Sequence, residues 1–216
     1  VQGRLLDDEY GYIQISQFQA GTGSSLRRKI ELLIDEIGKP LSGLVLDLRN
    51  NPGGTLEGAI NVSDLFLTKG VIVSTRGRAP DSTQTFFAKG RDLLRGAPLV
   101  VLVNRGSASA SEIVAGALQD HGRGLILGAR TFGKGSVQTI LPMKNGAGLK
   151  LTTARYFTPK NRSIQAKGIV PDIFSRSLEL SSPTSNTGIV ESDLSGHLTS
   201  DNEQNSSEND IYQDHS

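Results

Sequence analysis

The sequence predicts an α/β fold with a mixed, partly parallel sheet and crossover helices. Segments with the two-residue period of strands alternate along the chain with segments that repeat apolar residues at helical spacing. Such interleaving is typical of parallel strands joined by crossover helices. Glycine-rich junctions lie where three of the predicted strands end. With 216 residues, the chain is long enough for one domain with a buried core and a tail.

The predicted elements up to residue 76 alternate between the two periods. Residues 10–18 alternate apolar and polar side chains like a strand, and residues 24–37 place five apolar side chains on one helical face. Residues 44–48 form a short apolar run of the kind found in a buried strand, and the turn sequence RNNPGG follows it. A second helix is predicted at 55–67 and a strand at 71–76.

The second half of the core continues the alternation and ends in a hairpin. Residues 136–142 and 149–157 are predicted to pair as strands around Asn145-Gly146, a strong signal for a two-residue turn. The elements before this hairpin are a strand at 98–103, a helix at 111–120 and a strand at 125–129.

Residues 175–216 differ from the rest in composition and predict a disordered tail. They hold one basic and eight acidic residues and 11 serines, which leaves 22 basic and 14 acidic residues in 1–174. The predicted folded core, 1–174, therefore has a net charge of +8 and the tail one of −7. Scattered apolar side chains in the tail cannot bury enough surface to offset the entropy lost on ordering. In the core, Lys and Arg are dispersed without interleaved aromatic residues, which favours a solvated surface over nucleic-acid binding.

The composition excludes several classes of site. The chain contains no Cys, so it can hold no disulfide, thiolate nucleophile or Cys-ligated metal. No run of apolar residues approaches the length of a membrane-spanning helix. The opening VQGRLLDDEY lacks the pattern of a signal peptide, so the targeting segment of an exported protein is expected outside this chain.

The three glycine-rich junctions are Asn50–Gly54, Gly106–Glu112 and Gly128–Gly135. Because ligands gather at the carboxyl ends of strands in open α/β sheets, these junctions are candidates for a single site. In the first junction, the adjacent Gly53 and Gly54 could present backbone N–H groups to a substrate oxyanion, or could serve only as a tight turn.

The third junction also resembles a phosphate-binding loop. GARTFGK at 128–134 matches the first seven positions of GxxxxGK[ST], but Gly135 occupies the position that needs Ser or Thr for magnesium. The residues that follow predict a strand, whereas a P-loop opens a helix whose N-terminus faces the phosphates. Nucleotide binding is therefore a minor alternative.

A hydrolase built on this chain needs Ser or Thr as its nucleophile, because Cys is absent. Ser107, Ser109 and Ser111 in GSASASE follow a predicted strand and begin a predicted helix, whose N-terminus favours developing negative charge. On local pattern alone, these serines could equally be an N-cap run with Glu112 in the first turn.

Two residues of the core could act as a base. His121 lies at a predicted helix end, a position more typical of a surface histidine, and the other two histidines lie in the predicted tail. Lys134, between two glycines, could be a solvated loop charge, but lysine can also act as a base when burial lowers its pKa.

Several segments together resemble the carboxy-terminal processing, or tail-specific, proteases, which are serine peptidases with a Ser-Lys pair. The resemblance covers roughly the first 173 residues and implies a core of the crotonase-like or ClpP-like type. The segments are GYIQISQF at 11–18, DLRNNPGG at 47–54, NRGSASASEIVAGALQD at 104–120, GARTFGKGSVQ at 128–138 and LTTARYFTPKNRSIQAKGIVPDI at 151–173.

The resemblance also implies roles for individual residues. In this family the nucleophile lies in SASASE and the lysine base lies 25 positions later in FGKG, which selects Ser109 and Lys134. A glutamine four residues after the lysine orients it, and Gln138 occupies that position. The implied oxyanion hole consists of the Ala110 amide and an amide of Gly53 or Gly54.

The resemblance further implies a serine endopeptidase that cleaves extended or partly unfolded proteins near their C-termini, with no metal or organic cofactor. Its expected partners are protein or peptide substrates bound through their C-terminal region, without nucleic acid, and its oligomeric state is left open. The implied location is extracytoplasmic, in a bacterial periplasm.

Family members carry a PDZ domain ahead of the core, and none is found here, so a catalytic fragment is expected. The alternative is an inactive peptide-binding module of the same family, against which the intact motif residues argue.

Overall fold

The computed structural model of this chain describes residues 1–78, 82–143, 146–175 and 189–198. These residues form two sheets and three helices, followed by a short 3-10 turn at Glu191–Asp193. In chain order the elements are β1 (Gln2–Leu6), β2 (Tyr10–Gln14), α1 (Thr22–Ile37), β3 (Gly43–Asp47), α2 (Leu56–Asp64), β4 (Val71–Gly77), β5 (Gln84–Phe87), β6 (Leu99–Val103), α3 (Ala110–Asp120), β7 (Leu125–Gly128), β8 (Ser136–Pro142), β9 (Gly148–Phe157) and β10 (Ile173–Phe174).

The larger sheet has the strand order β1-β2-β3-β6-β7-β10. Its first pair is antiparallel and the other neighbours are parallel, which confirms the predicted mixed, partly parallel α/β fold. Ile13, Leu46, Val101 and Ile126 occupy matching positions on four adjacent strands, and each is fully buried. Strands buried on both faces read as continuous apolar runs, which is why β3 and β6 were readily predicted.

The smaller sheet is antiparallel, with the order β5-β4-β9-β8. The predicted hairpin is present as β8 and β9, although Asn145 of its turn lies outside the described residues. Ser74 of β4 pairs with Phe157 of β9, so the predicted strand at 71–76 belongs to this second sheet and not to the parallel one. β8 is an edge strand in this sheet.

All three predicted helices are present, and the apolar faces predicted for the first two are buried or partly buried. In α1, Leu26, Ile30 and Leu33 are buried, and the helix ends at Gly38, whose φ of 74° is the left-handed conformation favoured at this position. α2 is shorter than predicted and is capped by Thr55, whose side chain accepts a hydrogen bond from the Gly58 amide. α3 connects β6 to β7 of the larger sheet, contacts β4 of the smaller one and is buried along most of its length. None of these helices is both long enough and apolar enough to cross a bilayer.

Part of the predicted tail, 175–216, is described. Ser175 donates its backbone N–H to Gly128 O at 2.9 Å, and residues 189–198 include the 3-10 turn. Residues 176–188 and 199–216 lie outside the described residues. Division of the chain at residue 174 into a folded core and a disordered tail therefore stays a prediction.

Candidate active site

The three glycine-rich junctions meet beyond the carboxyl ends of β3, β6 and β7. The first and second junctions are joined where Ala108 donates its backbone N–H to Asn51 O at 3.0 Å. The second and third are joined where Phe132 donates its N–H to Ser107 O, also at 3.0 Å. The sequence-based expectation that these junctions form one site is consistent with this arrangement.

The third junction does not continue into a helix. After Lys134 the chain enters β8 at Ser136, as the β-branched sequence predicted. This junction therefore lacks the helix N-terminus that a P-loop uses to bind phosphate, and the nucleotide-binding alternative loses its structural basis.

The glycine turn of the first junction packs directly against the second junction. A methyl group on Gly53 would lie 2.7 Å from Ala108 O and 2.8 Å from Ser109 Cβ, and Gly53 has a φ of +103°. A methyl group on Gly54 would lie 1.9 Å from Phe18 O. Both positions therefore require glycine. A side chain at Gly53 would displace Ser109, and one at Gly54 would displace the backbone of Phe18.

The three candidate serines differ in what their hydroxyl groups do. Ser107 is fully buried and donates its hydroxyl to Leu48 O at 2.8 Å. Ser111 is fully buried as well and donates its hydroxyl to Asn51 O at 2.9 Å. Ser109 is half-buried, and its hydroxyl makes no hydrogen bond to the helix as a cap. Ser107 and Ser111 therefore use their hydroxyls in structural hydrogen bonds, and the choice of Ser109 as nucleophile stays a prediction.

Ser109 has an unusual backbone conformation at the start of α3. Its φ of 54° and ψ of −110° lie in a region that residues with a side chain rarely adopt. The conformation persists because the surrounding structure fixes it, including the hydrogen bonds that Ser109 O accepts from the Glu112 and Ile113 amides. Strain of this kind is concentrated at functional sites.

A buried carboxylate, which sequence reasoning treated only as a first-turn residue, joins the second and third junctions. Glu112 is fully buried and accepts hydrogen bonds from the Ser109 amide at 2.7 Å and the Lys134 amide at 2.9 Å, both on Oε2. Its Oε1 accepts from the Thr131 hydroxyl at 2.6 Å and the Gly133 amide at 2.7 Å. The backbones of the predicted nucleophile and the predicted base are therefore held by one side chain.

The pKa of Glu112 is shifted strongly by its surroundings. Burial raises the pKa of Glu112 to about 7, against the opposing effect of its four hydrogen bonds. The Ser-x-x-Glu spacing from Ser109 signals a capping-box contact, and this signal could have located the Ser109 amide as one partner. It could not have located Thr131, Gly133 or Lys134, which lie in another part of the chain.

The predicted base and its orienting residue lie on either side of a loop-to-strand boundary. Lys134 is half-buried in the loop before β8, and Gln138 is exposed on β8 at a register shift between Val137 and Gln138. A bulge of this kind re-aims side chains near active sites. Ser109, Lys134 and Gln138 are all described, and no hydrogen bond joins their side chains. The Ser-Lys-Gln set therefore stays a prediction.

The amides of the first junction are not equivalent. The Gly53 N–H donates to Asn51 Oδ1 at 2.9 Å, and Asn51 is itself fully buried and bonded to Ile15 O at 2.7 Å. Among the described residues, the Gly54 and Ala110 amides have no hydrogen-bond acceptor. Gly54 is thus the residue of the pair whose N–H is available to an oxyanion.

An ion pair between buried Asp47 and exposed Arg49 supports the start of this junction. Asp47 is fully buried and accepts hydrogen bonds from Arg49 Nη2 and from the Tyr12 hydroxyl, both at 2.6 Å. Burial alone would raise the pKa of Asp47, but the hydrogen bonds from Arg49 and Tyr12 outweigh it and leave the pKa below its ordinary value. The turn is therefore fixed by a carboxylate that remains ionised.

Comparisons with known proteins identify relatives of this chain. A carboxy-terminal-processing protease of Bartonella bacilliformis is 50% identical over 198 residues, which cover 89% of this chain and 45% of that protein. A carboxyl-terminal-processing protease of Synechocystis sp. is 44% identical over 162 residues, covering 75% of this chain and 37% of the relative. Among solved structures, a photosystem II D1 C-terminal processing protease aligns with a TM-score of 0.68 and 40% identity, over 77% of this chain and 42% of that one.

This chain spans less than half the length of each of these three proteins. The sequence profile described as Peptidase family S41 matches residues 9–175, a range that includes all three junctions. On the extent of that match and the identity to the curated relatives, the chain belongs to peptidase family S41.

Proposed function

We propose that this chain is the catalytic core of a serine endopeptidase that cleaves extended or partly unfolded proteins near their C-termini. The observation that carries the proposal is the strained, helix-starting Ser109, whose hydroxyl is free of the helix cap while its amide shares a buried carboxylate with the Lys134 amide. The identity to carboxy-terminal-processing proteases supports the substrate class.

In the proposed reaction, Ser109 Oγ attacks the carbonyl carbon of the scissile peptide bond while Lys134, as a neutral amine, takes the hydroxyl proton. The resulting ammonium group passes that proton to the leaving amine as the peptide bond breaks, which leaves an acyl-enzyme. Water then attacks the ester with Lys134 again as the base, and Ser109 regains its proton. Gln138 is proposed to orient the lysine side chain.

The proposed oxyanion hole consists of the Ala110 and Gly54 amides. A developing oxyanion is stabilised by N–H groups that are already in place and not used elsewhere. The two junctions lie close together, since a methyl group on Gly53 would be 3.0 Å from the Ala110 nitrogen. The Gly53 amide is excluded from this role because Asn51 Oδ1 already accepts it.

Glu112 is proposed to set the relative position of the two reacting residues through their backbones. With the backbone of the Lys134 loop fixed, the lysine reaches Ser109 by rotation of its own side chain. A lysine has a flexible four-carbon stem, so this approach needs no movement of the loop.

Substrates are proposed to bind through their C-terminal region without a metal or an organic cofactor. An extracytoplasmic location, in a bacterial periplasm, is proposed on the family resemblance. An inactive peptide-binding module of the same family remains the alternative, and the experiment below separates the two.

The test is hydrolysis of a denatured model protein, followed by mass spectrometry of the products. The chain should release peptides from the C-terminal region, Ser109→Ala should release none, and Ser25→Ala, an exposed serine of α1, should match the unaltered chain. Cleavage that persists in Ser109→Ala contradicts the proposal. Binding without cleavage by the unaltered chain supports the inactive module.

A further inference from the structure

The loop that carries Lys134 is held from a second side, away from the buried carboxylate described above. Phe132 O accepts the backbone N–H of Glu191 at 3.1 Å, and the Gly135 N–H donates to Gln165 Oε1 at 3.0 Å. These two contacts flank Lys134 on either side along the chain. They involve residues 189–198, here called the C-terminal brace, and the turn that contains Gln165.

Gln165 connects the brace to the loop through both ends of its side-chain amide. It is fully buried, and its Nε2 lies 3.3 Å from Glu191 Oε1 and 3.3 Å from Leu198 O. Its Oε1 is occupied by the Gly135 amide. Within the described part of the chain, the brace supplies both acceptors for the two N–H bonds of Gln165, and a buried amide without such acceptors is unfavourable.

The turn and the loop lie backbone against backbone. A methyl group on Gly135 would lie 2.3 Å from the Gln165 nitrogen, and Ala166 donates its N–H to Gly133 O at 2.8 Å. There is consequently no side-chain layer between them to absorb a shift. Any displacement of Gln165 passes directly to the residues on both sides of Lys134.

The brace itself is attached with little apolar burial. Ile189 is 65% exposed, Leu194 43% and Leu198 37%. A segment held mainly by hydrogen bonds at a protein surface belongs to the part of a structure that opens most easily. Loosening the brace should therefore affect the Lys134 loop without unfolding the core.

We propose that the C-terminal brace, acting through Gln165, positions the Lys134 loop for catalysis. The proposal rests on the proposed function above, because it assigns Lys134 a role in the reaction. Gln165 and Glu191 are positioning residues, since neither touches the reacting atoms. Loss of the brace should lower the rate of the chemical step and leave substrate binding largely unchanged.

The decisive variant is Gln165→Glu in the full chain. It keeps an oxygen for the Gly135 amide but replaces the donor that faces the brace with a second acceptor, opposite the Glu191 carboxylate and Leu198 O. Adding Glu191→Gln exchanges donor and acceptor between the two side chains and should restore their contact. Glu191→Ala removes one acceptor from a half-buried position, so folding is not at risk, and Glu36→Gln on the exposed face of α1 is the matched control.

Two readouts separate this inference from the proposed function. Gln165→Glu should lower kcat by roughly tenfold to a hundredfold with little change in KM, as a small misplacement of a catalytic group does. It should also speed hydrogen exchange at the amides of residues 133–135 but not in α3. Glu191→Ala should produce a smaller change in the same direction, and the double variant should return both readouts towards those of the unaltered chain.

Exchange rates at 133–135 that are unchanged in Gln165→Glu and in Glu191→Ala overturn the inference, and this measurement does not depend on hydrolysis. Faster exchange that the double variant fails to reverse overturns it as well, because the effect would then not pass through the contact between Gln165 and Glu191. Failure of the proposed function is seen separately, as hydrolysis that survives Ser109→Ala.

Discussion

One carboxylate oxygen of Glu112 lies 2.7 Å from the backbone nitrogen of Ser109. The same oxygen lies 2.9 Å from the backbone nitrogen of Lys134. The distance between these two stretches of backbone is therefore set by a single side chain that is fully buried at the start of α3. When Glu112 is ionised it is an acceptor only, and all four of its hydrogen bonds can then form at once.

Glu112→Gln should lower turnover while the chain still folds. The amide nitrogen of glutamine is a donor, so in either orientation it would face a backbone N–H that Glu112 now accepts. At the Oε1 position it would meet the Gly133 amide, and at the Oε2 position it would meet the Ser109 and Lys134 amides. We expect kcat to fall by roughly a hundredfold, as a misplacement of about 1 Å can cause. Peptide hydrolysis compared with the exposed control Glu57→Gln measures the effect. Equal rates in the two variants would show that the carboxylate is dispensable.

Glu112 should also make stability depend on pH near neutrality. Burial raises its pKa to about 7 from an ordinary value of 4.5, so the folded chain holds a proton that the unfolded chain has lost. The stability contributed by this proton is complete below 4.5 and disappears as the pH rises through about 7. Denaturant unfolding at about pH 5 and about pH 8 should differ by on the order of 1–3 kcal/mol in the unaltered chain, and by less in Glu112→Gln. A difference of the same size in Glu112→Gln would assign the effect to another group.

Much of the fold followed from local pattern, because buried strands and amphipathic helices leave clear periodicities. Residues 24–37 were predicted as a helix and form most of α1, and the parallel strands β3, β6 and β7 lie within two residues of their predicted bounds. β4 was predicted as a strand, but local pattern cannot tell which sheet a strand joins. β1, β5 and β10 were missed, and β10 has only two residues, held by pairing with β7.

Only those parts of the site that depend on residues close together in the sequence could be predicted. The glycine pair and the serine run pointed to a common edge of the sheet, but the choice between Gly53 and Gly54 depends on Asn51, whose side chain occupies the Gly53 amide. The role of Glu112 was missed because its partners Gly133 and Lys134 come from a separate junction. Contacts of this kind are set by the tertiary fold and leave no periodic signal.

Alanine substitutions of the three serines in the second junction should affect stability and activity differently. Ser109→Ala should abolish hydrolysis, a loss of roughly 10⁴-fold or more, and leave the Tm nearly unchanged because its hydroxyl is not a helix cap. Ser107→Ala and Ser111→Ala should keep measurable turnover but lose about 1 kcal/mol of stability, because each removes a buried hydrogen bond while Leu48 O and Asn51 O each keep a backbone N–H donor. Thermal unfolding and peptide hydrolysis of the three variants are the measurements. Activity in Ser109→Ala together with none in Ser111→Ala would mean that the nucleophile is misassigned.

Gly53→Ala should abolish activity with a larger loss of stability than conformational strain alone produces. The added methyl group would lie 2.7 Å from Ala108 O and 2.8 Å from Ser109 Cβ, so either the turn or the nucleophile must move. Gly38→Ala is the matched control, because Gly38 also has a positive φ but has nothing within 4 Å of the added methyl group. The control should lose only about 1 kcal/mol and keep full activity. Full activity in Gly53→Ala would show that the turn can move away from Ser109 without consequence.

Lys134→Arg tests whether the lysine acts as a base or only as a charge. Arginine has a side chain of similar length and keeps the backbone amide that Glu112 accepts, so the loop should remain in place. A guanidinium group does not lose its proton in proteins, and it therefore cannot take the proton of the Ser109 hydroxyl. We expect hydrolysis to fall to a level close to that of Ser109→Ala, with an unchanged Tm and unchanged hydrogen exchange at the Lys134 amide. Lys69→Arg, an exposed substitution between α2 and β4, should leave the rate unaltered. If Lys134→Arg hydrolyses substrate at the rate of the unaltered chain, the lysine is not the base. His121, the other candidate from the sequence, could not take its place, because it lies at the opposite end of α3 from Ser109 and its Nε2 contacts Val71 O.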